Sequence, residues 1–248
     1  LMKQVAENGY EVGFHGYNHV SLLQHDWFDT TQLQLSFNAV KKKWLVSGFG
    51  DFPITYVPPS NKIDAYGIHN LKKNMPSIQY LCSLYLGDRS EGEDREFDFD
   101  PYDDQIFDYP RISSGFTLED YHRYNLQSMY IYTGIWTHFI HPDDVYQIKK
   151  GFINKNSVYG LRNKENRFWH KDVPGKKSLY SLFDEYLNDF NRLYPLSRYL
   201  TAKEAAPIVM DWRKSKYVHS QDEKKYTVEK QTITKTKANY WFVYFEKE

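Results

Sequence analysis

The chain has a single cysteine, no excess of charge of either sign and no long apolar run, and each absence removes a class of protein. Cys82 has no internal disulfide partner, and between Leu81 and Ser83 in an apolar stretch it reads as a small buried hydrophobe. Lysine plus arginine and aspartate plus glutamate both number 32, so there is no net field to hold nucleic acid or an anionic membrane surface. No stretch approaches the roughly 18 consecutive apolar residues of a bilayer-spanning helix, which argues against a transmembrane segment. No charged segment with a following apolar stretch precedes the first helical pattern, and Leu1 is not an initiator, so we expect a piece of a longer protein.

What is present suits one sizeable core. Hydrophobic residues make up 41% of 248 positions, and a chain of this length buries on the order of 70–75% of its unfolded surface. The 22 tyrosines and six tryptophans carry rings with a polar handle, suited to cores and interfaces and equally to the faces and hydroxyls of sugars.

Apolar periodicity divides the chain into alternating elements. A helical pattern over Leu1–Glu7 precedes a strand-like Glu11–Phe14, and Thr30–Leu45 follows with Leu33, Phe37, Val40 and Trp44 at helical spacing. Glycines and a proline in 48–53 break it. Ile54–Val57 and Ile78–Leu84 read as strands around a helix at Tyr66–Asn74. Such alternation predicts a parallel sheet or barrel, with the chemistry in loops at the carboxyl ends of strands. Residues 88–110, dense in Asp, Glu and Arg, read as a solvated insertion loop; they lack the fixed glycine and terminal glutamate of an EF-hand calcium loop. Gly160–Lys177 reads as a polar, aromatic loop that sets Trp169 and His170 near a substrate.

Leu179, Leu182, Phe183, Tyr186, Leu187 and Phe190 recur at helical spacing, and Thr201–Glu204 has the form of a capping box opening a helix toward Trp212, bent at Pro207. After residue 214 the pattern changes. Lys224–Lys230, Gln231–Thr236 and Ala238–Phe245 alternate as strands of a β-meander. We therefore expect a main domain over 1–213 and, over 214–248, a β-rich appendage or the beginning of an accessory domain.

The stretch Tyr10–His19 carries the strongest chemical signal, because a short β-type run delivers His15 and His19 four residues apart at its carboxyl end. Helical i and i+4 positions share a face, and neutral imidazole is a frequent ligand of zinc-like ions. The same pair could instead cap the strand or pack under a loop. Two later stretches, Ile54–Asn61 and Trp136–Asp144, each read as a strand running into a loop.

In order and spacing, the Glu-x-Gly-x-His-x-x-x-His pattern, Val57-Pro58-Pro59 and Phe139-Ile140-His141-Pro142-Asp143-Asp144 resemble polysaccharide deacetylases of the NodB-homology type, carbohydrate esterase family 4. The likeness spans roughly residues 1–210, and the His-Pro-Asp-Asp ending looks like a divergent bacterial cell-surface branch. The resemblance implies a distorted (β/α) barrel of about seven strands, with the first strand missing from this chain. It assigns His15 and His19 to a divalent metal, most often zinc, with cobalt or nickel as alternatives. His141, or His138, becomes the general acid; His141 is preferred because it ends the hydrophobic run. Tyr17, Pro58, Pro59, Asn61 and Trp136 would line the substrate groove.

Two departures accompany the likeness. The Thr-Phe-Asp-Asp strand that supplies the family's base and third metal ligand does not occur in these 248 residues. Val57 stands where the family often has an arginine, a place that Arg111 could fill from another loop. The implied activity is metal-assisted removal of N- or O-acetyl groups from a cell-wall or capsule polysaccharide by a periplasmic or surface protein, with His141 protonating the leaving group. Asp143 or Asp144 would fix the tautomer of His141, or cap a helix beginning near Val145. Two other readings stand beside it: a glycan-binding protein that has lost the chemistry, and a glycoside hydrolase with paired carboxylates.

Overall fold

The computed structural model describes residues 2–85, 92, 94–116, 118, 120–148, 162–220 and 225–229, the backbone alone for 2, 121, 216–220 and 225–229. Two compact units emerge, one formed by Leu1–Pro110 with Leu200–Glu248 and the other by Arg111–Tyr199.

The first unit is built on a four-stranded sheet. Helices α1 (Met2–Glu7) and α2 (Thr30–Ser47) precede strand β1 (Thr55–Tyr56); α3 (Ala65–Asn74) then leads to β2 (Tyr80–Leu81), and β3 (Leu84–Tyr85) follows it. Three further strands, β4 (Asp94–Arg95), β5 (Phe99–Asp100) and β6 (Asp103–Asp108), come next. The sheet order is β1-β2-β6-β5, with β1, β2 and β6 parallel and β5 antiparallel to β6; β3 and β4 pair separately. Phe14 extends the ladder by one residue, bridging Tyr56 in parallel, its amide donating to Thr55 at 2.8 Å and its carbonyl accepting from Val57 at 2.8 Å. The first unit ends with a helix at Ala202–Arg213 and an antiparallel hairpin of Lys216–Ser220 with Lys225–Glu229.

Local chemistry sets the helix ends. Asp29 accepts from the Thr31 amide to cap α2, whose other end closes on Gly48 in the left-handed conformation at φ 67. Asp64 caps α3 through Gly67. The helices bury Leu33, Phe37, Ile68 and Leu71 against Phe14, Tyr56, Ile78, Leu81 and Ile106 of the sheet and its flanks, and each such side chain contributes about 1.5–3 kcal/mol on full burial.

The second unit holds β7 (Ser113–Ser114), α4 (Asp120–Thr133), β8 (His138–Phe139) and α5 (Leu179–Leu193); α6 denotes Ala202–Arg213 of the first unit. Strands β7 and β8 pair in parallel. Leu126 of α4 packs on Tyr186 and Phe190 of α5, with Trp136 and Tyr130 against them.

These findings correct the expected barrel. Among the described residues the strands form one sheet of four and three of two, none of them closed. A barrel needs every strand paired on both sides, whereas the antiparallel β5 ends the main sheet and the expected strand over Ile78–Leu84 splits at Cys82–Ser83 into members of two sheets. The stretch 88–110 is not a solvated insertion, because it supplies β6, an inner strand of the main sheet. Residues 115–135, to which sequence periodicity assigns no element, contain α4. The capping box at Thr201 and Glu204 forms, and α6 runs through Pro207. Of the anticipated β-meander, Lys225–Glu229 is a strand, and the two later runs lie outside the described residues. Among the described residues no helix is long and apolar enough to cross a membrane.

An ionic cluster explains how so acidic a stretch enters the interior. Arg95, Asp100 and Asp108 are only 7%, 4% and 2% exposed, and the Arg95 Nε lies 3.5 Å from Asp100 Oδ2 and 3.3 Å from Asp108 Oδ2. Two carboxylates face one guanidinium, and an unbalanced buried charge is costly. Burial, with Asp100 alongside, pushes Asp108 up to about 9 against the pull of Arg95. The cluster therefore keeps a proton at neutral pH. Unfolded aspartate releases its proton near ~3.9, so folding takes up a proton between that pH and about 9, and stability falls as pH rises across this window. Thermal unfolding followed from pH 5 to 9 should show the wild type losing stability steadily and Asp108→Asn losing clearly less; equal slopes would contradict the buried proton.

Candidate functional site

At the carboxyl ends of parallel strands, backbone groups and side chains converge on one edge of a sheet, the usual place for ligands in open α/β structures. Here that edge carries His15 after Phe14, Val57 after β1, Cys82 after β2 and Tyr109 after β6. Glu11 holds the entry to the histidine loop: one carboxylate oxygen accepts from the Thr55 hydroxyl and the other from the Lys203 amide at 3.0 Å, at the start of α6.

The two histidines come together, but not through a helix. Their ring centroids are 5.0 Å apart at an interplanar angle of 78°. Gly16 at φ 80, Asn18 at φ 48 and His19 at φ 57 wind the intervening chain through left-handed conformations. This corrects the helical-face argument, and it marks the loop as strained, since each non-glycine residue in that region costs on the order of 1–3 kcal/mol. The Nδ1–H of His15 donates to the Val57 carbonyl at 2.8 Å. That bond fixes the ring and leaves the Nε2 lone pair for a ligand, the arrangement that metal-binding histidines share. Both histidines are exposed. Among the described residues no third histidine, cysteine or carboxylate joins them in a metal-binding group. Two imidazoles, one already oriented, fit part of a zinc-like coordination set.

Pro58 and Pro59 are buried, and Pro59 packs against Gly16 of this loop. A Cβ on Gly16 would lie 2.7 Å from Pro59 Cγ, so only glycine fits there, by space and by backbone angle. The Ser21 hydroxyl donates to the Pro59 carbonyl at 3.1 Å, and the Ser83 hydroxyl donates to the Asn61 carbonyl at 2.6 Å. Asn61 is half-buried at φ 65, and Tyr17 is 41% exposed in the histidine loop itself. Gly16→Ala should lower the melting temperature by the equivalent of about 1–3 kcal/mol and disperse the His15–His19 pair, read by loss of their mutual nuclear Overhauser contact; an unchanged pair would refute the packing.

In the second unit the expected acid–base residues separate in character. His138 is held at both nitrogens: Nε2–H donates to the Gly115 carbonyl at 2.8 Å, and Nδ1 accepts from the Ser113 hydroxyl at 2.9 Å. Ser113 in turn accepts from the Trp136 indole at 2.7 Å, and Trp136 packs on Tyr186 and Phe190. Burial lowers the His138 pKa to about 4. Histidine titration by NMR should find His138 neutral, as the Nε2–H tautomer, down to about pH 4; a midpoint near 6.5 would dissolve this network.

His141 is half-exposed at the head of a 3-10 turn, Pro142–Asp144. Its amide donates to Asp144 Oδ2 at 2.6 Å, so Asp144 caps the turn. Asp143 pairs with Arg162 at 3.4 Å. Arg111 lies over the Phe139 ring at 4.2 Å from its centroid, and the other ring near Phe139 is that of His141 at 5.0 Å. Burial first, then the positive charges of Arg162 and Arg111, lower the His141 pKa. Beside it opens a cleft lined by Phe116, Ile140, His141, Pro142, Val145 and Trp169. Trp169, expected from sequence to lie near a substrate, lines this cleft; Phe116 and Val145 gave no sequence signal beyond being apolar. The buried pair Asp100 and Asp108 does not suit a glycosidase, since both point at Arg95 and neither is open to solvent.

A family model described as an uncharacterised protein conserved in bacteria (DUF2194) matches residues 1–248. No curated protein and no solved structure matches the chain.

Proposed function

The chain belongs to the bacterial family DUF2194, and from the loop it carries at the sheet edge we propose a divalent-metal-dependent hydrolase that removes acetyl groups from a polysaccharide. The observation that carries the reading is the His15 Nδ1–H bond to the Val57 carbonyl with His19 5.0 Å away, ring to ring. The resemblance of Glu-x-Gly-x-His-x-x-x-His and the later His-Pro-Asp-Asp to carbohydrate esterase family 4 supplies the substrate class, an acetylated wall or capsule glycan, and with it a periplasmic or cell-surface setting.

His15 and His19 would hold the ion, zinc by preference and cobalt or nickel as alternatives, because imidazole nitrogen suits these metals. When bound, it supplies Lewis-acid activation of the acyl carbonyl and of water. The chain's own part is to orient the pair: the Val57 carbonyl selects the tautomer of His15, and Pro59 beneath Gly16 sets the loop. Of the two later histidines to which the resemblance would give proton transfer, His138 has both nitrogens engaged and His141 does not. Burial, with the charges of Arg162 and Arg111, lowers the His141 pKa and so favours the neutral ring that can take up a proton.

Elemental analysis of the full-length protein should find about one equivalent of divalent metal, as a single mononuclear site requires. His15→Ala/His19→Ala should lose it together with acetate release from acetylated oligosaccharides. No uptake from excess zinc, cobalt or nickel would sink the hydrolase and leave a glycan-binding protein.

A further inference from the structure

We propose that the open cleft within the unit Arg111–Tyr199 is a binding subsite for a neutral sugar ring, with Trp169 as its stacking platform. The inference shares the glycan reading given above, but it assigns residues outside the histidine loop and has its own readout.

The cleft measures about 520 Å³, within the range of small-ligand sites. Trp169 is 42% exposed and is gripped at its edges: Phe116 meets it at 5.0 Å and 66°, Tyr180 at 5.9 Å and 78°. Its backbone is fixed as well. The Trp169 carbonyl accepts from the Tyr180 amide at 2.8 Å, and the Phe168 carbonyl accepts from the Leu179 amide at 3.0 Å. Those amides belong to the first turn of α5, where they have no partner inside the helix. Two bonds to a helix end therefore convert a surface loop residue into a rigid one. An aromatic ring ordered before its ligand arrives loses little entropy on binding.

The lining selects the ligand class. Apart from His141, every lining residue is apolar or aromatic, which asks for a ligand with an apolar face. Among the described residues the Nδ1 of His141 is buried without a hydrogen-bond partner, so a ligand in the cleft would meet this ring at Nε2. At the rim Asp143 is already paired with Arg162. Burial and the charges of Arg162 and Arg111 disfavour a charged His141 ring, and Asp143 and Arg162 offset one another at the rim, so no charge in the lining selects an anion or a cation. A pyranose fits these demands: its C–H face would lie against an indole, and a hydroxyl at the ring edge would meet an imidazole nitrogen.

The test is calorimetric titration of the full chain with the β-1,4-linked tetramers of N-acetylglucosamine and of glucose, read in parallel by tryptophan fluorescence. At least one tetramer should bind. Trp169→Ala should raise its Kd at least about tenfold, Trp169→Phe should recover most of the loss, and Val145→Arg, which places a charge in the apolar wall, should match Trp169→Ala. His15→Ala/His19→Ala should abolish metal uptake, which reads the histidine loop separately from the cleft. Binding indifferent to both Trp169→Ala and Val145→Arg, or no binding of either tetramer by the wild type, overturns the subsite. Trp169-dependent binding without metal uptake sinks the hydrolase and upholds the subsite; metal uptake with Trp169-independent binding does the reverse.

Discussion

The parallel ladder that runs from Phe14 through Tyr56 and Leu81 to Asp108 is the constraint on which the first unit depends. Each of these segments is too short to stand alone, with two-residue strands at β1 and β2 and a single bridging residue at Phe14. Their backbone groups are satisfied largely by one another, and in a buried setting an unsatisfied group costs about as much as a lost hydrogen bond. The ladder therefore forms as a unit, with Tyr56, Leu81 and Ile106 closed over by α2 and α3. Its polarity also decides where the chain's chemistry can lie. His15, Val57, Cys82 and Tyr109 leave the sheet at the same edge because the strands run the same way.

A second constraint, electrostatic, keeps the last strands of that ladder in place. Arg95 draws Asp100 and Asp108 into the interior, and the retained proton prevents two like charges from meeting there. Gly92 belongs to the same device: a Cβ there would sit 2.0 Å from the Ile63 carbonyl, the atom that accepts from Arg95 at 3.4 Å. Packing and charge are thus coupled, so a stretch whose composition suits solvent becomes part of the core.

Much of the framework was legible from period and punctuation. The helices at Thr30–Ser47, Ala65–Asn74, Leu179–Leu193 and Ala202–Arg213 follow apolar spacing with capping residues at their starts, signals that act within a turn or two of chain. The barrel and the insertion loop were misread for one reason. Two-residue strands carry too little alternation to reveal their partners, and Arg95 shows its value only when Asp100 and Asp108 stand beside it. Likewise α4 mixes tyrosines, Met129 and polar residues without a clean stripe, so its period is faint.

For the candidate site, sequence determined the donors and structure their use. That His15 and His19 are imidazoles four residues apart, that Pro58 and Pro59 follow a strand, and that His141 ends an apolar run are facts of local order. Whether a ring nitrogen is free, bonded or buried depends on residues far along the chain: Val57 orients His15, Ser113 and Gly115 occupy His138, and Asp144 holds the His141 backbone. Trp169 becomes a platform only because α5 and Phe116 brace it. Sequence fixes which groups a chain possesses and their local conformational bias, whereas hydrogen bonding and desolvation are set by neighbours in space, which only the folded chain brings together.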